Sequence, residues 1–573
     1  AFADGEQSLI AILPSSTPVV ETTPFYLGSS ENKFSTQLPE MPNDSRVTLE
    51  FCENPTWYCV TALPGLRAEN GQTSLSAMAA IFSAAVAEGI IRNNPSIASA
   101  IHQWAHSDKS DSTLTSMLER NQDLKIILLN ASPWVLDASS ETERMTRLSL
   151  LFDKKEISNT YTTNINKLAK LVRGNGGWGW IDSSSEISEW CTLNILSMYG
   201  QLKQLGYAPN EDKLSKMIEV AVKAIDDSYA RKYAKYPDAD YSAYVIARDF
   251  YPEIKQSTAA KRVTTATVQR LISDWKHQDV ANKAISALIL NDNGYHSTAK
   301  QILNSLREFA QTSKAQGMWW PSLNSMSDWS MSNVGATSII LDAFHAIEPS
   351  CKEIDLIRQW IILQKEAKNW GTSVTTCEVI ASILNSGSTW HNVAHGVEVT
   401  INDQPIVPSK VEQVTGYFRN DISSMNPSKA VLSVYKTSQT PSWGAVYCQY
   451  NDIMSDVKAQ SCDAISIEKR ILKQVNTPNG VAWEIANTIE IGDKVKVELI
   501  VKSTRDMDYV AIIDDRAACF EPVEQLPTPI FAEGIYFYRE NRDDATNMFV
   551  THLPKGTYVL TYELFANNSG SFM

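Results

Sequence analysis

The sequence lacks closely spaced cysteine pairs. Its eight (Cys52, Cys59, Cys191, Cys351, Cys377, Cys448, Cys462, Cys519) are scattered over 573 residues, none in a C-x-x-C spacing. This excludes a zinc ribbon and a thioredoxin-type centre. In apolar settings such as Trp57-Tyr58-Cys59-Val60, a thiol is expected as a small buried hydrophobe. Basic charge is also scarce. With 51 Lys and Arg against 65 Asp and Glu the formal net charge is −14, which argues against a nucleic-acid partner, since such binding needs clustered cations. No apolar run reads as a membrane span. The chain opens at Ala1 without the basic and apolar regions of a secretory signal, an absence better ascribed to trimming than to a cytoplasmic home. No cofactor motif is found.

What is present changes character twice. Residues 1–53 read as strands and loops, with extended segments such as Arg46-Val47-Thr48-Leu49-Glu50-Phe51. Residues 54–388 read as helical: Leu75, Met78, Ala79, Phe82 and Val86 share one helix face, as do Ile195, Met198, Tyr199 and Leu202, and Ile340, Ala343, Phe344 and Ile347. Gly206 is placed to end one helix, and Ser140 with Glu143 makes a capping box opening another. Three connections share a Gly/Trp character: Gly176-Gly177-Trp178-Gly179-Trp180, Gly317-Met318-Trp319-Trp320 and Asn369-Trp370-Gly371. About a dozen short helices with a recurring turn chemistry predict a repeated hairpin, closed into an α/α toroid or stacked as a solenoid, and the toroid fits better because both ends of the block lead back into strand-like sequence. Beyond Trp390 the period becomes two, as in Val397-Glu398-Val399-Thr400-Ile401 and Lys494 to Ile500. Two β units are expected, at 389–458 and 459–573. The first is short for a sandwich, and strands from 1–53 would complete it, making the helical block an insertion.

This order of parts resembles the tail of the alpha-2-macroglobulin and complement superfamily, most of all its bacterial, Bacteroidetes-like branch. The resemblance is carried by Leu49-Glu50-Phe51 with Asn54-Pro55-Thr56-Trp57-Tyr58 and Ala62-Leu63-Pro64, by Ser132-Pro133-Trp134-Val135-Leu136-Asp137-Ala138, and by Gln364-Lys365 with Asn369-Trp370-Gly371-Thr372. In the last domain it is carried by Asp506-Met507-Asp508-Tyr509-Val510, Asp514-Asp515-Arg516-Ala517-Ala518, Tyr536 to Arg539 and Leu553-Pro554-Lys555-Gly556-Thr557-Tyr558. It implies a multidomain α plus all-β fold. Residues 1–53 and 389–458 would form a CUB-like β-sandwich, 54–388 a thioester-domain-like toroid of the six-hairpin type inserted in it, and 459–573 a macroglobulin-type β-sandwich. That last sandwich would be cut short at Asn567-Asn568-Ser569-Gly570, which reads as a hairpin turn.

Covalently reacting members of that family carry Cys-x-Glu-Gln near the start of the helical domain. The sulfur is both nucleophile and later leaving group, so it has no substitute. The stretch that corresponds here is Glu69-Asn70-Gly71-Gln72, in which only the Gln persists. Cys59 lies too far upstream to replace the missing thiol. The acyl-transfer histidine of some complement-like members has no counterpart at Ile187-Ser188-Glu189. The thioester is therefore expected to be lost.

Other candidates carry less. His391 and His395 stand four apart, but in a segment read as a linker, so no metal is assigned. Asp226-Asp227 lacks the third aspartate of a prenyl-diphosphate site, Asp238-Ala239-Asp240 lacks the cyclase pattern, and both read as solvated helix ends. The acids of Asp506–Asp515, with Arg516 alongside, read as a turn with salt bridges between strands. No enzyme is expected. The resemblance implies an endopeptidase inhibitor that traps proteases without a covalent bond, periplasmic or anchored to the outer membrane, with proteases as partners. The alternative is an envelope scaffold whose partner is a penicillin-binding protein or another surface ligand.

Overall fold

The computed structural model describes residues 16–42, 45–67, 71–95, 150–184, 186–314, 316–323, 332–365, 370–387, 396–408, 411, 415–423, 427–453, 457, 464–478 and 480–570. The Ser140–Glu143 capping box, the 132–138 segment, Cys462, His391 and His395 lie outside them.

The described chain divides into two compact units. The larger begins with strands β1 (Ser16–Leu27), β2 (Lys33–Gln37) and β3 (Arg46–Cys52) and ends with β8 (Val397–Ile401), β9 (Gln404–Ile406), β10 (Phe418–Asp421), β11 (Val431–Lys436) and β12 (Ser442–Ile453). Early and late strands interleave in two four-stranded sheets, ordered β1-β12-β3-β10 and β2-β11-β8-β9. Phe418 is opposite Phe51, and Leu432 lies between Thr36 and Ile401. Phe25, Phe34, Phe51 and Phe418 stack in series through the sandwich core, with centroids 3.9 to 6.2 Å apart. The sandwich is complete only with strands from both sides of the helical block, so that block is an insertion.

The insertion opens with two single turns, α1 (Trp57–Val60) and α2 (Leu63–Leu66), before α3 (Ser74–Asn93). There follow α4 (Lys154–Leu171), α5 (Glu189–Gln204), α6 (Asp212–Lys235), α7 (Ser242–Asp249), α8 (Thr258–Asp274), α9 (Val280–Asp292), α10 (His296–Phe309), α11 (Asn333–Ile347), α12 (Glu353–Leu363) and α13 (Ser373–Ser386). Helices α3, α5, α7, α9, α11 and α13 each pack on the next, and α13 returns to α3, closing a ring of six inner helices among the described residues. The sequence dictates which helices go inside. Helix α3 is buried at fifteen of its twenty positions, as a helix apolar on all sides must be. Outer helix α10 buries only Ala299, Ile302, Leu303 and Leu306, the single stripe of an amphipathic helix.

One expectation needs correction here. By length and composition α3 is apolar enough to cross a membrane, and 83% of its most apolar window is instead buried within this fold.

The three Gly/Trp connections are one device used three times. Trp178, Trp320 and Trp370 are buried. Each donates its indole N–H to a carbonyl near the end of the preceding outer helix: Leu168 at 3.2 Å, Leu306 at 2.8 Å and Ile361 at 2.8 Å. Two of these turns contain small hairpins, β4 (Val172–Arg173) with β5 (Gly177–Trp178) and β6 (Gln311–Ser313) with β7 (Gly317–Trp319). The indole donates to a helix-end carbonyl and fills the joint between outer and inner helix.

The smaller unit carries a second antiparallel sandwich. Its strands are β13 (Ile465–Thr477), β14 (Gly480–Ile485), β15 (Lys494–Ser503), β16 (Met507–Asp515), β17 (Phe520–Pro522), β18 (Thr528–Ala532), β19 (Ile535–Asn541), β20 (Ala545–Leu553) and β21 (Gly556–Ala566). The sheets are ordered β14-β13-β15-β21-β17 and β16-β20-β19-β18. Alternate residues such as Val495, Val497, Leu499 and Val501 face the core. The acidic stretch read as a turn is in fact strand β16, paired along its length with β20.

Candidate functional site

The residues aligned with the thioester motif lead into α3. Glu69 and Asn70 fall outside the described residues; Gly71 and the exposed Gln72 form the loop before the helix. Thr73 caps α3 by accepting the Ser76 amide at 3.0 Å, while Ser76 Oγ accepts the Thr73 amide at 3.1 Å. This reciprocal box fixes where the loop ends. The Ser74 amide donates to the Trp180 carbonyl at 3.0 Å, tying the start of α3 to the first Trp turn.

The start of α5 lies alongside. Ser188 caps it by accepting the Cys191 amide at 3.2 Å, and the Cys191 thiol rests against the hydroxyls of Ser188 and Ser74. The two segments compared in the sequence, 69–72 and 187–189, thus lead into neighbouring helix starts. Over them Trp180 and Trp190 stack with centroids 5.1 Å apart and planes 12° from parallel; both are about two-fifths exposed.

The chemistry of this corner is weak in nucleophiles. Burial pushes the Cys191 thiol up, against the lowering influence of the neighbouring Ser188 and Ser74 hydroxyls. Cys59 is fully buried, and burial pushes it up to about 12 despite Arg358 and Lys365. Neither offers a thiolate at neutral pH. Glu189, beside the helix start, is held by Ser228 at 2.8 Å and by Lys232.

The remaining acids are distributed differently from expectation. Asp226 is not a solvated helix end but a buried ion pair, 3% exposed, bound by Arg248 Nε at 3.0 Å and Tyr244 OH at 2.7 Å. Asp227 and Asp238 are exposed, and Asp240 pairs with Arg270 at 2.6 Å. Asp514 binds Tyr562 OH at 2.6 Å and Lys469 at 2.5 Å inside the second sandwich. No three His, Cys, Asp or Glu side chains converge as a metal site requires, among the described residues. Sequence reasoning missed one pair: Asp342 on α11 and Glu378 on α13, close enough that the Asp342 charge adds to burial in raising the proton affinity of Glu378. Its signal was an acid inside an apolar run, as in Ile340-Leu341-Asp342-Ala343-Phe344.

With this geometry in view, a family likeness falls on the smaller unit. Residues 465–573 match the model of the bacterial alpha-2-macroglobulin MG10 domain. Among solved structures, native alpha-2-macroglobulin from Escherichia coli, spanning domain MG7 to the C-terminus, is 11% identical, with 97% of this chain and 78% of that chain covered and a TM-score of 0.36. The same protein activated by porcine elastase is 13% identical over 97% and 44%, with a TM-score of 0.38. Its trypsin-activated form is 13% identical over 98% and 34%, with a TM-score of 0.41. The chain thus spans between a third and four-fifths of these structures. No curated protein matches. The last sandwich, β13 to β21, is thus of the macroglobulin class, and the domain it matches is the bacterial alpha-2-macroglobulin MG10 domain.

Proposed function

We propose that this chain is the thioester-domain-like and carboxy-terminal part of an endopeptidase inhibitor that entraps its target without a covalent bond. The observation that carries the reading is the MG10 domain at 465–573 joined to a toroid whose motif position reads Glu69-Asn70-Gly71-Gln72. Cleavage of a bait segment in the full-length protein would drive a rearrangement that encloses the protease, the toroid and its sandwich serving as wall. The periplasm or outer membrane is the proposed site of action, and endopeptidases are the proposed partners. The deciding experiment incubates full-length protein with a general endopeptidase and follows a small peptide substrate beside a large protein substrate. Loss of activity on the large substrate alone is the expected result. Equal activity on both, after the inhibitor has been cut, would sink the trap and favour an envelope scaffold.

A further inference from the structure

The second sandwich contains a charged group where its own pattern asks for an apolar one. Along β19, Ile535 and Phe537 point into the core and the next residue on that face is Arg539, 5% exposed. It pairs in register with Thr528 of β18 and Met548 of β20. Burying a guanidinium is costly unless its donors are satisfied. Its Nε has no hydrogen-bond partner. Its Nη2 meets one carboxylate, that of Glu524, in the β17–β18 connection. The two partners are unequal: the Arg539 side chain is 6% exposed and that of Glu524 69%.

The pair lies in a cleft of about 270 Å³ whose lining includes Lys496, Glu524, Arg539, Asn541, Tyr562 and Glu563. The other charges there are already matched: Lys496 with Glu498 at 2.8 Å, and Glu563 with Lys494 at 2.6 Å. Set Glu524 aside, and the cleft holds one unmatched positive charge in a planar fork. That is the complement of a single carboxylate rather than of a doubly charged phosphate. Asn541 holds the Glu524 backbone carbonyl, so the loop stays attached while its side chain is free to leave.

We propose that Arg539 is the recognition point of a carboxylate-binding cleft for peptides, and that Glu524 fills the place of the ligand carboxylate until one displaces it. The ligand group is either a peptide's terminal carboxylate or an Asp or Glu side chain. Because Glu524 competes from within the chain, its removal raises apparent affinity by the inverse of the fraction of time it left the cleft free.

The test uses the full chain and calorimetric titration with N-acetyl-dialanine, its carboxamide, N-acetyl-glutamate amide and inorganic phosphate. Glu524→Gln is expected to bind one of the two carboxylates about tenfold more tightly than the unchanged chain, and the carboxamide not at all. Which carboxylate binds identifies the source. Adding Arg539→Lys to Glu524→Gln should abolish the gain; if that variant does not fold, the same titrant must raise the Tm of Glu524→Gln more than that of the unchanged chain. Failure of both carboxylates to bind or stabilise folded Glu524→Gln would overturn the proposal and leave the pair structural. So would equal binding of the carboxamide, or preference for phosphate.

Discussion

Asp342 and Glu378 sit on adjacent inner helices, α11 and α13, joined through Ser382, which donates to Asp342 at 2.8 Å. Burial pushes Asp342 up to about 7 against that hydrogen bond, and pushes Glu378 up to about 7 with Asp342's charge adding to it. On α7, burial and Asp292 move Asp249 the same way, to about 7. A carboxyl that holds its proton more tightly folded than unfolded stabilises the fold below its unfolded pKa, and the contribution is lost as pH rises through 7. Urea unfolding should therefore show higher stability at pH 5 than at pH 8. Asp342→Asn with Glu378→Gln should remove on the order of 3 kcal/mol of that difference, the pair titrating as one unit. An unchanged slope in the double variant would exclude the pair as its source. Asp226 makes a contrasting case. Asp226→Asn leaves the Arg248 guanidinium, 7% exposed, without its carboxylate, and should cost about 3–5 kcal/mol in the urea transition.

At the scale of elements, the Trp turns set the spacing of the ring. Trp320→Phe keeps most of the volume but strands the Leu306 carbonyl, an expected loss of about 1–3 kcal/mol; Trp320→Ala should cost about 3–5 kcal/mol. Gly317→Ala in the same turn should be at least as damaging. Gly317 has φ of +81°, and a Cβ would lie 2.1 Å from the Leu356 carbonyl oxygen of α12. Thermal melts of the three variants order these effects, and a Gly317→Ala chain as stable as the parent would refute the close approach. These turns were legible as repeated Gly/Trp dipeptides because a buried indole needs both a joint and an acceptor. Helical periodicity likewise marked the faces of α3, α5 and α11. Ring closure was expected from the sequence, but which helices meet to close it was not legible, since α13 meets α3 across most of the insertion, and strands of two or three residues carry no period. Strand β16 was misread for a physical reason. Asp514 occupies an inward position, only 8% exposed, which a lone acid could not hold, and its partners Lys469 and Tyr562 come from distant strands.

For the molecule as a whole, the chemistry left to it follows from where its sulfur is. Of the seven described cysteines, six are buried and only Cys351 is intermediate in exposure, and none is paired in a disulfide. Burial raises Cys59, Cys191, Cys377, Cys448 and Cys519. It raises Cys351 too, with Glu353 adding to it. A thioester demands a sulfur that leaves as a thiolate and an acyl carbon open to attack, and here Gln72 is exposed with Glu69 where the sulfur would be. The native protein should therefore have the intact mass of its unmodified sequence, not short by one ammonia. Methylamine should release no new thiol and leave the mass unchanged, while the same reagent on a covalently reacting relative would add one amine per chain. If a thiol did appear, a cysteine outside the 69–72 stretch would have to carry the bond. Cys191, against Ser74 at the start of α3, would be the first to substitute, by Cys191→Ser, with loss of the methylamine-released thiol as the readout.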